Sequence, residues 1–125
     1  MIRYLFDANC AVYAMDGSVP GLRTRIEDCD PGSLAMSVIS YAEVAYGTYI
    51  GKPPDPAVLD AFIRAIPLVA FDEAAAREYA KLPFKRARFD RLLAAHAISI
   101  GAVVVTNNEA DFADVPDLVV ENWTV

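Results

Sequence analysis

Short continuous apolar runs alternate with amphipathic stretches along the whole chain, and this alternation predicts its elements. Residues 2–6 form an apolar run broken by one charge, a strand that ends at Asp7. The Ala-rich segment 8–15 predicts a helix stopped by Gly17. Segment 20–28 predicts a second helix, with Pro20 in its first turn and Leu22 and Ile26 four apart. Another apolar run covers 34–39, and helical spacing follows over 40–50 until Gly51. In 57–66, Leu59, Phe62, Ile63 and Ile66 fall on one helical stripe. Residues 68–71 read as a buried strand, and Asp72 as the N-cap of a helix over 73–82. After the loop around Pro83, residues 90–100 are helical, and 102–105 and 118–120 are further aliphatic runs. Buried strands alternating with helices predict an α/β layer fold with a mostly parallel sheet.

Composition narrows the class. The 125 residues are one domain's worth of chain, and 55% hydrophobic content builds a core without staples, so residues 1–125 are expected to form a single domain. Disorder, a collagen-like repeat and a disulfide scaffold are excluded. With 11 Lys and Arg against 17 Asp and Glu, the formal charge is −6. That balance argues against a protein that coats nucleic acid by charge alone but leaves one local site open, and no direct DNA binding by this chain is expected. Cys10 and Cys29 show no paired metal-ligand spacing, and are expected as small buried hydrophobes in a reduced, cytoplasmic protein. The N-terminal run, interrupted by Asp7, is no secretory signal, and no apolar stretch approaches the roughly 18 residues of a membrane span.

Four carboxylates mark candidate chemistry. In a parallel sheet with helical crossovers, strand C-termini and the following helix N-termini share one edge, where open α/β sheets bind ligands. Asp7 closes the first strand, and Glu43 is expected in the first turn of the helix after the second strand, with Ser37 and Ser40 before it as candidate caps. Asp90 opens the helix before the 102–105 strand, and Asp111 follows that strand after Thr106-Asn107-Asn108. Carboxylates about 5 Å apart repel by roughly 3 kcal/mol per pair at an effective dielectric of 20, so such a cluster calls for cations or protons. All-oxygen acidic sites prefer Mg²⁺ or Mn²⁺, ions that activate water and stabilise charge on phosphoryl oxygens.

Four segments together resemble a family. Leu5-Phe6-Asp7-Ala8-Asn9, Ser37-Val38-Ile39-Ser40-Tyr41-Ala42-Glu43, Phe89-Asp90-Arg91-Leu92-Leu93-Ala94-Ala95-His96-Ala97 and Val105-Thr106-Asn107-Asn108-Glu109-Ala110-Asp111-Phe112 look like a PIN domain. More narrowly they resemble the VapC toxins of bacterial toxin–antitoxin pairs, down to the closing Val120-Glu121-Asn122-Trp123. The resemblance implies a three-layer α/β/α sandwich and Mg²⁺- or Mn²⁺-dependent endoribonuclease activity on structured, tRNA-like RNA that inhibits translation. It also implies a homodimer and a cognate antitoxin of the VapB type. Asp7, Glu43, Asp90 and Asp111 take the places of the family's four metal-binding, catalytic acids. Asn9, Ser37, Ser40 and Thr106 take its supporting polar positions. Ala8 stands where many members carry Thr, and the basic stretch before Asp90 is shorter than the usual insertion there.

Plainer roles stand beside these. Asp7 and Asp90 are also candidate caps, and an acid in a first helical turn, as expected of Glu43, is stabilising in itself. Glu109 and Asp114 lie close enough in sequence to stand in for Asp111. His96, six residues after Asp90, is about 240° around the helix and is expected to pack away from the acids. Lys85, Arg86, Arg88 and Arg91 are either a solvated rim or phosphate contacts. Tyr41, Tyr46, Tyr49 and Trp123 are expected in packing rather than base stacking. The alternative function is a catalytically weak PIN module that binds protein or RNA. A phosphoacceptor domain is disfavoured, because position 9 is Asn where a second Asp is expected.

Overall fold

The structure, a computed structural model, describes residues 1–83, 86 and 88–125. Lys85 lies outside the described residues. Among them, the strands β1 (Tyr4–Phe6), β2 (Leu34–Ser37), β3 (Leu68–Val69), β4 (Val103–Val105) and β5 (Val120–Glu121) form one sheet in the order β3-β2-β1-β4-β5. Every pairing is parallel. Helices α1 (Ala8–Asp16), α2 (Pro20–Glu27), α3 (Val38–Tyr49), α4 (Pro56–Ala65), α5 (Glu73–Ala80) and α6 (Arg88–Ile100) supply the crossovers, and a 3₁₀ helix spans Glu109–Phe112.

Strand alternation divides the core in two. Phe6, Met36 and Val105 join Cys10, Ala11, Leu22, Val44 and Leu59 on the face covered by α1 to α4. Leu5, Ala35 and Val104 point the other way, onto Leu93, Ala94 and Ala97 of α6 and Phe112. The result is the expected α/β/α sandwich. Leu59 and Ile66 of the α4 stripe are buried, with Phe62 and Ile63 packed beside them. Trp123 is buried edge-on against Tyr4 and Phe6, at ring separations of 4.9 and 5.7 Å.

Several boundaries differ from the sequence pattern, each for a local reason. β2 stops at Ser37, not at Ile39, because the Ser37 hydroxyl accepts the Ile39 N–H and caps α3. Glu43 is therefore the sixth residue of α3, in its second turn rather than its first. Likewise α6 begins at Arg88, so Asp90 is its third residue and not its cap. The last strand is Val120–Glu121 instead of 118–120, for Asp117 turns with φ 66° and Val119 faces solvent. Gly17 does close α1, with φ 71° and its N–H on the Tyr13 carbonyl. Asp72 caps α5 through the Ala75 N–H. Cys10 is buried and Cys29 only partly so; both are free thiols. Tyr46 and Tyr49 are exposed, not packed. No helix among the described residues is long and apolar enough to cross a membrane.

Candidate metal and active site

The chain winds from β1 out to β3, then returns to β4 on the other side of β1, so the switch in winding direction falls between β1 and β4. Crevices at such points, outside the strand C-termini, are where open parallel sheets take ligands. Register builds the site there. Phe6 pairs with Met36 on one side and with Val105 on the other. One residue further on, Asp7, Ser37 and Thr106 share a row at the sheet edge. Because side chains alternate, this row turns back toward α6.

Asp7 is held on both carboxyl oxygens. Its Oδ1 accepts the Cys10 N–H at 2.8 Å as the N-cap of α1, and its Oδ2 accepts the Thr106 hydroxyl at 2.6 Å. Thr106, fully buried, in turn accepts the Asn108 N–H at 3.0 Å. The Asn108 side chain donates to Asp111 Oδ2 at 2.7 Å, extending the chain of bonds to a second acid. Asn108 was not marked by its sequence position, although Asx residues after a strand are a general signal for such turns.

The acids sense one another. Burial raises Asp7 above the ordinary carboxylate range, against the pull of the Thr106 and Cys10 hydrogen bonds, and the Asp111 charge adds to the rise. Burial also raises Asp90, reinforced by the charges of Asp111 and Asp7. Glu43 is pushed up to about 7, first by desolvation of its carboxyl and then by the Asp90 and Asp7 charges. Glu43 stands on the rim of a cavity of about 480 Å³ lined by Ala42, Tyr46 and Phe89 as well. Asp7 and Asp90 thus lie within electrostatic reach of each other, of Glu43 on one side and of Asp111 on the other, although no group of three or more acid, His or Cys side chains stands preassembled around a cation position among the described residues. Their donor set is oxygen only, and their shared repulsion is relieved by positive charge. A hexahydrated-type ion that keeps several waters and takes one or two carboxylates directly fits such a loose set.

Other marked residues fall elsewhere. Asn9 is exposed in the first turn of α1. Ser40 is buried, and its hydroxyl has no hydrogen-bond partner. The Ser37 hydroxyl bonds His96 Nδ1 at 2.8 Å rather than an acid. His96 is fully buried, edge-on to Phe71, and burial holds its imidazole below the usual value. Arg91 is 2% exposed, not on the rim, and donates twice to Asp114, at 2.6 and 2.8 Å. That pairing also engages Asp114, one of the two acids that stood as substitutes for Asp111. Arg86 and Arg88 are exposed. Burial and the Asp7 charge raise the Cys10 thiol, which keeps it an inert core group.

The model of the PIN domain family matches residues 4–118. The chain belongs to the PIN domain family. Among sequence relatives of this PIN domain is the tRNA(fMet)-specific endonuclease VapC of Shigella flexneri, 28% identical over 99% of this chain and 100% of that protein. Ribonuclease VapC2 of Rickettsia felis is 29% identical over 96% and 97%. Among solved structures, VapBC2 from Rickettsia felis bound to a promoter DNA fragment superposes with a TM-score of 0.84, at 29% identity over 98% and 99% of the two chains. VapBC-1 from nontypeable Haemophilus influenzae superposes with 0.81, at 27% identity over the full length of both.

Proposed function

We propose that this PIN domain is a divalent-metal-dependent endoribonuclease, the toxin of a VapBC-type toxin–antitoxin pair. The observation that carries the reading is Asp7 at the sheet's switch point, locked by Thr106 and sharing its field with Glu43, Asp90 and Asp111. Full-length relatives that bear the names of VapC ribonucleases support it. Asp7, Glu43, Asp90 and Asp111 would hold Mg²⁺ or Mn²⁺. When bound, the ion supplies an activated water and neutralises charge on the phosphoryl group.

The chain's own residues prepare that chemistry. Thr106 and the Cys10 N–H fix the Asp7 carboxylate and oppose its protonation. Asn108 orients Asp111. Arg86 and Arg88, both exposed and close to Asp90 in sequence, would contact phosphates of the RNA, as would Lys85. The substrate class is structured, tRNA-like RNA, and its cleavage inhibits translation in the cytoplasm. A VapB-type antitoxin is the partner, the protein assembles as a homodimer, and DNA contacts belong to the antitoxin rather than to this acidic chain. Residues 1–125 act as one domain.

Ala8, where many members of the family carry Thr, and the short basic stretch before Asp90 favour the second reading, a catalytically weak binding module. Incubation of total RNA with the protein, with Mg²⁺, with Mn²⁺ and with neither, tests both. Cleavage only with metal supports the nuclease, and RNA left intact under every condition supports the binding module.

A further inference from the structure

The Ser37–His96 hydrogen bond belongs to no step above, yet it joins the two helices that carry Glu43 and Asp90. Ser37 caps α3 and Glu43 stands six residues along it; Asp90 stands six residues before His96 on α6. Both separations correspond to about 9 Å of helix. At one end the helices meet through Ser37 Oγ and His96 Nδ1, 2.8 Å apart. At the other, Glu43 of α3 and Phe89, next to Asp90 on α6, line one cavity, and Glu43 senses the Asp90 charge. The hydrogen bond and the shared cavity therefore mark two levels along stretches of α3 and α6 that run in opposite directions.

Packing alone does not call for this pair. Both side chains are 0% exposed, where an apolar residue would avoid the cost of burying polar atoms. A hydrogen bond adds direction. Ser37 Oγ also accepts the Ile39 N–H, so one hydroxyl ties the ring of His96 to the start of α3. Nε2 closes no full hydrogen bond, so the Ser37 contact is the ring's fixed point. Phe71 abuts the ring edge-on at 5.6 Å. A tilt of α3 by 10° about this point would move Glu43 by about 1.6 Å, given the 1.5 Å rise per residue. Octahedral Mg²⁺ coordination tolerates far less than that.

We propose that Ser37 and His96 are positioning residues, whose hydrogen bond fixes α3 against α6 and thereby sets the separation of Glu43 from Asp90. The inference rests on the metal-site reading above, and two readouts on the full chain keep them distinct. Crystal structures report the Glu43–Asp90 separation with no metal needed, and calorimetry with Mn²⁺ reports affinity. In His96→Leu the separation is expected to change by 1 Å or more and Mn²⁺ affinity to fall roughly tenfold or more. Ser37→Thr keeps the hydroxyl and is expected to keep both. Leu59→Ala, in the core on α4, is expected to lower the melting temperature with Mn²⁺ affinity unchanged. An unchanged separation and affinity in His96→Leu would overturn the proposal, as would an equal loss of affinity in Leu59→Ala. Should His96→Leu not fold, Ser37→Ala carries the same comparison. If the wild type bound no Mn²⁺, the metal reading would fall, and the measured separation would still decide the role of the pair.

Discussion

Thr106 Oγ1 donates to Asp7 Oδ2 at 2.6 Å, across the point where the sheet reverses its winding. The bond opposes the burial that raises Asp7, and so favours the charged form of that carboxylate. Thr106→Val preserves the shape and removes the donor. Asp7 then titrates at higher pH, and the acid limb of the pH–rate profile for RNA cleavage moves upward. Cleavage near neutrality is expected to fall about 10- to 100-fold, while Thr106→Ser retains the wild-type profile.

Desolvation, reinforced by the Asp90 and Asp7 charges, makes an ionised Glu43 costly in the metal-free fold. Glu43 ordinarily titrates near 4.5 and here is pushed up to about 7, so between these values the folded state binds more protons than the unfolded one. Stability from this group is therefore present at low pH and lost as pH rises toward 7. His96, buried and neutral, works in the opposite direction below its ordinary value, and comparison with Glu43→Gln cancels it. Without metal, Glu43→Gln is expected to be more stable than wild type at pH 7.5, by on the order of 1 kcal/mol after allowance for solvent screening of this exposed residue. The gap closes near pH 4.5. Urea melts of both proteins at the two pH values measure it.

Two arginines close together in sequence have opposite consequences. Arg91 is buried against Asp114, so Asp114→Ala strands a charge in the interior and is expected to cost roughly 3 kcal/mol. Arg86 is exposed, and Arg86→Gln is expected to change stability by less than about 0.5 kcal/mol. It should instead weaken RNA binding and flatten the dependence of log affinity on log salt by about 0.7, the value for one lost phosphate contact on a single strand. Thermal melts and filter binding at several salt concentrations separate the two effects.

What the sequence made legible follows from range. Apolar runs such as 102–105 and the α4 stripe, and the stop at Gly17, are local signals, and the structure has each within a residue or two. That the acids share one edge was legible because parallel strands put their ends there, and Thr106 was marked by the family resemblance, but its bond to Asp7, 99 residues away, was not. Arg91 was misplaced because its partner is 23 residues away and no local pattern announces it. The same holds for Ser37 and His96, 59 residues apart: helical spacing turned His96 away from the acids but could not supply its partner. The turn that Glu43 occupies depended on which of two candidate caps, Ser37 or Ser40, starts α3; the apolar Val38 and Ile39 extended the strand pattern past Ser37, whereas its hydroxyl caps the helix there.

The central claim is that the gathered acids work through a bound divalent ion to cut RNA. Cleavage of total RNA by wild type, by wild type with EDTA, and by Asp7→Asn and Asp90→Asn, with circular dichroism on each protein, tests it most directly. The account predicts cleavage by metal-loaded wild type alone, with all proteins folded. Wild-type cleavage rates in either folded variant, or in EDTA, would contradict it.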